Sequence, residues 1–175
     1  MTEFRRPESI RPDHETAEFD CGSEAQTVWL RDHALQAHRA DSARVYVACV
    51  SATNRAGGYY ALASGSVARD SAPPRVAQGL GRYPVPVILL TRLGVDRSHQ
   101  GHGLGRSLVL DALLQAASVA DRVGVRALLI HAESSEAMAF YRQLNPDFEE
   151  SPTDSLHLIL LMKDLRAAIR KAAGR

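Results

Sequence analysis

Gln100-Gly101-His102-Gly103-Leu104-Gly105-Arg106 joins an apolar run, Val87-Ile88-Leu89-Leu90-Thr91-Arg92-Leu93-Gly94-Val95, to a long helical pattern. Glycines at alternate positions between a strand and a helix start describe a loop whose backbone N–H groups can converge on an anion. A helix N-terminus offers unpaired N–H donors and partial positive charge, so phosphate is a natural guest. Three phosphate motifs compete for the stretch. A P-loop needs G-x-x-x-x-G-K-[ST], and the frame from Gln100 to Gly105-Arg106-Ser107 lacks both the first Gly and the Lys. A dinucleotide fingerprint needs G-x-G-x-x-G, whereas the glycines here are spaced G-x-G-x-G. The third pattern, [RQ]-x-x-G-x-[GA], is met at every fixed position. A glycine-rich turn with no phosphate role is the plain alternative.

Outward from this loop, the strand before it spans Val85 to Val95, with Pro86 tolerable only near its start. The helix after it runs from Leu104 to Val123. Leu108, Ala112, Leu113, Ala116, Val119, Ala120 and Val123 recur at helical spacing, and Gly124 suits the C-terminal cap. Val125 to His131 reads as the next strand, which makes residues 85–131 a right-handed parallel crossover. A ligand is expected beyond the carboxyl ends of its strands. Ser134 or Ser135 can cap a short helix reaching Leu144, Ser155 to Met162 is a last strand, and Leu165 to Ala173 a basic helical tail.

Upstream, residues 1–20 are polar and irregular, and Ser23-Glu24-Ala25-Gln26 fits a capping box that opens a helix to about His38. Arg44 to Val50 and Tyr59 to Val67 read as a hairpin turned at Thr53-Asn54-Arg55-Ala56-Gly57-Gly58. Residues 69–84, with Pro73, Pro74 and Pro84, read as a loop.

With 175 residues, the chain suits a single domain over 1–175, with an irregular segment at 1–18 and a basic tail at 164–175. The formal charge of +1 argues against strong long-range attraction to nucleic acid, so any affinity for it comes from a local patch. No apolar run of ~18 residues exists to span a membrane, and the polar start does not resemble a signal peptide. A soluble, cytoplasmic protein is expected. Cys21 and Cys49 are isolated, without metal-ligand spacing, and read as reduced packing residues. No metal site is expected.

The loop pattern resembles the acetyl-CoA pyrophosphate loop of the GNAT N-acetyltransferase superfamily. Within it, the chain is similar to the acetyltransferase toxins of bacterial type II toxin–antitoxin systems. Carrying that closer resemblance are Phe19-Asp20-Cys21-Gly22, Trp29-Leu30-Arg31-Asp32-His33-Ala34, Gly58-Tyr59-Tyr60-Ala61-Leu62, Pro86 to Asp96, Leu128-Leu129-Ile130-His131-Ala132 and Glu136-Ala137-Met138-Ala139-Phe140-Tyr141. Two departures stand out. Leu144-Asn145-Pro146-Asp147-Phe148 replaces the family's G-F turn, and His102 stands where relatives often carry Lys or Arg.

The resemblance implies an α/β fold, with a mixed, largely antiparallel sheet whose central parallel pair splays around acetyl-CoA, flanked by helices. It implies acetyl transfer from acetyl-CoA, the cosubstrate, to an amine. Backbone groups of Leu93, Gly94 and Val95 would hold the pantetheine arm and polarise the thioester carbonyl. Gln100, Gly101, His102, Gly103, Leu104, Gly105 and Arg106 would cradle the pyrophosphate. Tyr141 would be the general acid for the leaving thiolate, since a phenol of pKa ~10 is protonated at neutral pH. For the toxin branch, the implied acceptor is the α-amine of aminoacyl-tRNA. With a pKa of ~8, that amine is about a tenth deprotonated at pH ~7 and needs little help from a protein base. His131 is one local candidate base, and packing in or beside the core is its alternative; His99 and His102 border the loop. Arg31, Arg39, Arg44, Arg82 and Arg92 are candidates for RNA phosphates. The implied partners are aminoacyl-tRNA, a ribbon-helix-helix antitoxin and a second copy of the chain in a homodimer. Other readings are a GNAT enzyme for a small amine or protein N-terminus, and a non-catalytic CoA-binding module.

Overall fold

A computed structural model describes residues 1–174. In chain order the elements are β1 (Glu8–Ser9), α1 (Glu24–Val28), a π-helical turn (Trp29–His33), α2 (Ala34–Arg39), β2 (Arg44–Cys49) and β3 (Ala56–Val67). Then come a 3₁₀ turn (Arg69–Ser71), α3 (Pro74–Ala77), β4 (Val85–Val95), a 3₁₀ turn (Arg97–His99), α4 (Leu104–Ala120) and β5 (Ala127–His131). α5 (Ser135–Leu144), β6 (Glu149–Glu150), β7 (His157–Leu161) and α6 (Met162–Ala173) complete the chain. The strand order is β1-β2-β3-β4-β5-β7-β6. β4–β5 is parallel, while β1–β2, β2–β3, β5–β7 and β6–β7 are antiparallel, which is the mixed, largely antiparallel α/β sheet expected from the resemblance.

Two compact units divide the residues: 1–63 with 91–112, and 64–90 with 113–175. In the first, Ser23 caps α1 by accepting the Gln26 N–H, as the S-x-x-Q pattern predicts. The helix then widens. The Ala34 N–H reaches back to the Trp29 carbonyl, closing a π-helical turn that the apolar periodicity did not signal. Leu30 and Ala34, four apart on one face, pack with Phe19, Val45, Val47 and Tyr59 into a buried cluster that Trp29 partly covers. Tyr59 stacks beneath Trp29 with its ring tilted by only 14°.

Several sequence expectations shift here. The stretch read as irregular contributes β1, paired antiparallel to β2 through Glu8↔Val47 and Ser9↔Tyr46. Gly57 and Gly58 lie inside β3 rather than in the hairpin turn. The reason is space: a Cβ on Gly58 would come within 2.8 Å of the Leu108 side chain. Strand propensity yields there to a close approach between layers.

In the second unit the parallel ladder runs from Val87↔Ala127 to Leu90↔Ile130, while β4 itself continues to Val95. Val85, Val87, Ala127, Leu129, Ile159 and Leu161 form a buried cluster with Ala72, Val76 and Ala77. Thus the stretch read as loop at 69–84 includes α3, whose Val76 and Ala77 are core residues. Arg126 holds this short helix by donating to the carbonyls of Val76, Arg75 and Gln78. α4 stops at Ala120 rather than Val123, and Val119 and Val123 are exposed. The β7 strand ends at Leu161 and α6 starts at Met162, a few residues before the expected tail helix. Arg175, the last residue of that tail, lies outside the described residues.

Candidate functional site

β4 leaves the first unit's core at Leu93-Gly94-Val95 and passes through the 3₁₀ turn Arg97–His99 into the glycine loop. Gly94 is buried, and a Cβ there would meet the Tyr59 ring at 3.0 Å and the Cys21 sulfur at 3.2 Å. In the loop, Gly101 and Gly103 have φ of +76° and +87°, the left-handed region that L side chains rarely enter. A Cβ added at either would meet nothing within 4 Å. Backbone conformation, not crowding within the protein, therefore requires glycine, and open space remains beside the loop for a ligand. α4, 17 residues long, begins at Leu104, so its N-terminal donors and dipole follow directly. The residues fit a pyrophosphate cradle. His102 and Arg106 are exposed on it, and Leu104 is buried under it.

Sequence reasoning missed Asp96, which holds this loop. Asp96 is only 7% exposed. One carboxylate oxygen accepts the Ser98 N–H at 3.0 Å and the Ser98 hydroxyl at 2.5 Å. The other accepts the Asp20 N–H at 3.1 Å. Burial pushes its pKa up, but hydrogen bonds from the Ser98 hydroxyl and from the Asp20 and Ser98 N–H groups outweigh burial and hold it below the ordinary carboxylate value. Gln100 turns its amide inward, donating to the carbonyls of Cys21 and Val95 at 2.9 Å each. An acidic residue four before the glutamine was the available signal.

Among the arginine candidates, Arg31, Arg39, Arg44 and Arg92 belong to the first unit and Arg82 to the second. Arg92 lies over the Trp29 ring, 5.4 Å from its centroid, a cation–π contact that fixes the guanidinium. Arg44 is ion-paired with Asp41 at 2.6 Å, so its charge is already met. Arg31, Arg39 and Arg82 are exposed and form no ion pair among the described residues.

Tyr141 lies on α5 in the second unit, 7% exposed and edge-on to Phe140. Burial, and then the charge of Glu133, push its pKa well above the usual tyrosine value. Its hydroxyl makes no hydrogen bond among the described residues, so it is a protonated donor without a protein acceptor. At the departure from the G-F turn, Phe148 is buried and Asn145 caps its own turn by accepting the Asp147 N–H. Asn145 itself is extended, with φ of −149°, and does not take the left-handed conformation of a glycine.

His131 stacks on His157, their centroids 3.8 Å apart and rings nearly parallel. Burial and the neighbouring His157 lower its pKa, against a smaller opposing effect of Asp154, which keeps it neutral near pH 7. His99 packs edge-on against Phe4. Glu8, His14 and Cys49 bring possible metal-ligand atoms within 4.8 Å of one another. However, His14 Nδ1 accepts the Arg11 N–H, so Nε2 carries the hydrogen and donates it to Glu8 at 3.2 Å. Cys49 takes no part in that bond; its Sγ donates to the Asn54 carbonyl instead. Both cysteines are free thiols.

A model of the acetyltransferase (GNAT) domain matches residues 40–145. The tRNA-acetylating toxin of Mycobacterium tuberculosis (strain ATCC 25618 / H37Rv) is 47% identical over 169 residues, covering 97% of this chain and 99% of that protein. Among solved structures, AtaT complexed with acetyl-methionyl-tRNAfMet superposes with a TM-score of 0.84 at 27% identity, over 97% of this chain and 99% of that one. A mutant AtaT toxin bound to the C-terminus of the antitoxin AtaR and acetyl-CoA superposes with a TM-score of 0.78 at 26% identity, over 95% and 97% of the two chains. With a family model over more than half its length and a relative this similar end to end, the chain belongs to the GNAT acetyltransferases.

Proposed function

We propose that this enzyme is a toxin-type N-acetyltransferase that moves acetyl from acetyl-CoA to the α-amine of aminoacyl-tRNA and so blocks translation. The observation that carries the substrate is the end-to-end similarity, at 47% identity, to a tRNA-acetylating toxin. The chain works as one N-acetyltransferase domain. Gly101 and Gly103, open on their Cβ side, let the pyrophosphate of acetyl-CoA reach the loop backbone and the α4 N-terminus, with Arg106 and His102 alongside. Backbone groups of Leu93, Gly94 and Val95 hold the pantetheine arm.

In the reaction the acceptor nitrogen attacks the thioester carbonyl carbon, and an oxyanion forms and collapses. The C–S bond breaks, the thiolate takes its proton from the Tyr141 hydroxyl, and solvent, which receives the proton lost by the amine, returns one to Tyr141. A phenol whose pKa burial has raised stays fully protonated for this task at neutral pH. No side-chain base is required, because an α-amine of pKa ~8 supplies enough free base by itself. His131, stacked on His157, serves packing rather than proton abstraction. Arg92 and the unpaired Arg31, Arg39 and Arg82 contact RNA phosphates; Arg44, neutralised by Asp41, contributes least.

In the cell the enzyme acts in the cytoplasm as a homodimer, and a ribbon-helix-helix antitoxin neutralises it. The experiment is a transfer assay with radiolabelled acetyl-CoA and total charged tRNA. Label in the RNA, released by mild base, supports the proposal. Label on a small amine or a protein N-terminus instead of RNA would refute it.

A further inference from the structure

We propose that Asp96 is a positioning residue that, with the strap Asp20-Cys21-Gly22, presets the glycine loop for the pyrophosphate of acetyl-CoA. This rests on the loop being the pyrophosphate cradle. The strap and the loop interlock at every level. The Asp20 N–H donates to Asp96, and the Arg97 N–H returns to the Asp20 carbonyl at 2.8 Å. Both hydrogens of the Gln100 amide are committed, one to the Cys21 carbonyl and one to that of Val95. Asp20 also accepts the Gly22 N–H at 2.9 Å through its side chain, which folds the strap on itself. Cys21 closes against Gly94, and its backbone N–H is held by the Thr27 hydroxyl at 3.1 Å.

The carboxylate is suited to this in a way an amide is not. Each of its oxygens already accepts an N–H, one from Ser98 and one from Asp20. An Asn side chain in either orientation would turn an N–H towards an N–H. A nearly buried charge fully met by hydrogen bonds fixes the geometry of what it joins. Here it joins the end of β4, the 3₁₀ turn and the strap, immediately before two glycines in a conformation that an unbraced loop would leave. Preorganised donors bind an anion more tightly because no ordering is left to the moment of binding.

The test compares acetyl-CoA with acetyl-pantetheine, which carries the thioester and lacks the pyrophosphate. Wild type, Asp96→Asn and Ser98→Ala are each assayed for kcat and KM with both donors, with thermal melting as a check on folding. Ser98→Ala, an exposed position that loses only the hydroxyl bond to Asp96, is the variant that keeps the fold in case Asp96→Asn does not. The expected result is a loss of about tenfold in the preference for acetyl-CoA in Asp96→Asn, read as a raised KM, with a smaller loss in the same direction in Ser98→Ala. Equal losses with both donors would overturn the inference, since a general structural defect does not discriminate between them. So would an unchanged preference in both variants. A wild type that shows no preference for acetyl-CoA would instead remove the cradle itself, and the inference with it.

Discussion

Replacing Tyr141 with Phe separates chemistry from stability in a way the structure makes quantitative. Tyr141 is only 7% exposed and its ring packs against Phe140, so it anchors α5, whereas its hydroxyl bonds to no protein group among the described residues. Phe keeps the ring and removes only the oxygen. Since no intramolecular hydrogen bond is lost, unfolding free energy should change by no more than ~0.5 kcal/mol. At this chain length that is a shift of about 1–2 °C in Tm. Loss of a general acid is a different matter. The expected fall in kcat is ~10²–10⁴-fold, equivalent to ~3–5 kcal/mol on the barrier. KM for acetyl-CoA should hold, because the substitution leaves the glycine loop and its donors unchanged. The pH profile adds a second constraint. A raised pKa means that the acid form persists above pH ~10, so the wild-type rate should climb with the α-amine near pH ~8 and not fall again at ordinary tyrosine ionisation. The assay is steady-state transfer to charged tRNA, with a melting curve of each protein. A variant within about twofold of wild-type kcat, or one whose activity loss tracks a large drop in Tm, would refute the general-acid role.

Gly103→Ala forces an L side chain to φ +87° and should raise KM for acetyl-CoA roughly tenfold, with ~1 kcal/mol lost in denaturant unfolding. The stacked pair His131–His157 gives the fold an acid-sensitive element. The folded pKa of His131 is lowered, so its contribution is present above the unfolded value of ~6.5 and is lost as pH falls below it. Tm should therefore drop from pH ~6.5 downward, and His131→Gln should flatten that limb of the curve. In tRNA-binding titrations against salt, Arg92→Ala should lower the magnitude of the log–log slope by about 0.7–1, and Arg44→Ala, whose charge Asp41 already meets, by less. Removing the Tyr60 hydroxyl, which donates to Asp111 at 2.5 Å, should cost ~1–3 kcal/mol in chemical denaturation.

Where one residue's chemistry dictates local conformation, the amino-acid order was enough. Ser23 caps its helix as the S-x-x-Q spacing suggested, Ser134 rather than Ser135 caps α5, and the alternate glycines open α4. β4 and β5 pair in parallel as a strand–loop–helix–strand unit must. What escaped depends on partners distant in the chain. Nothing local marks Glu8–Ser9 as a strand, because its reason for existing is the free edge of β2. Gly57 and Gly58 look like turn residues until Phe4 and Leu108 are seen pressing on them. Asp96 reads as an ordinary acidic residue after a strand, and only the Asp20 N–H, 76 positions away, reveals what it holds. Val119 and Val123 matched a helical stripe by spacing, yet helix ends and exposure are decided by the surroundings rather than by periodicity. The arginine candidates were indistinguishable by sequence; ion pairing with Asp41 and stacking on Trp29 tell Arg44 and Arg92 apart from the rest.

The widened turn at Trp29–His33 carries more backbone per revolution than the helical segments on either side. Such a turn is what a single inserted residue leaves behind when a helix accommodates it without unravelling. Excising Asp32, exposed within the turn, would let the segment relax to regular α-helical winding, with the bond from the Ala34 N–H to the Trp29 carbonyl now spanning four residues and the two side chains keeping nearly the same relative bearing. The indole would stay against Tyr59, and Arg92 would keep the surface it rests on. A length scan would find this helix forgiving of one deletion inside the wide turn and unforgiving in the regular winding of α2, where losing a residue turns one side of the helix by about 100° relative to the other.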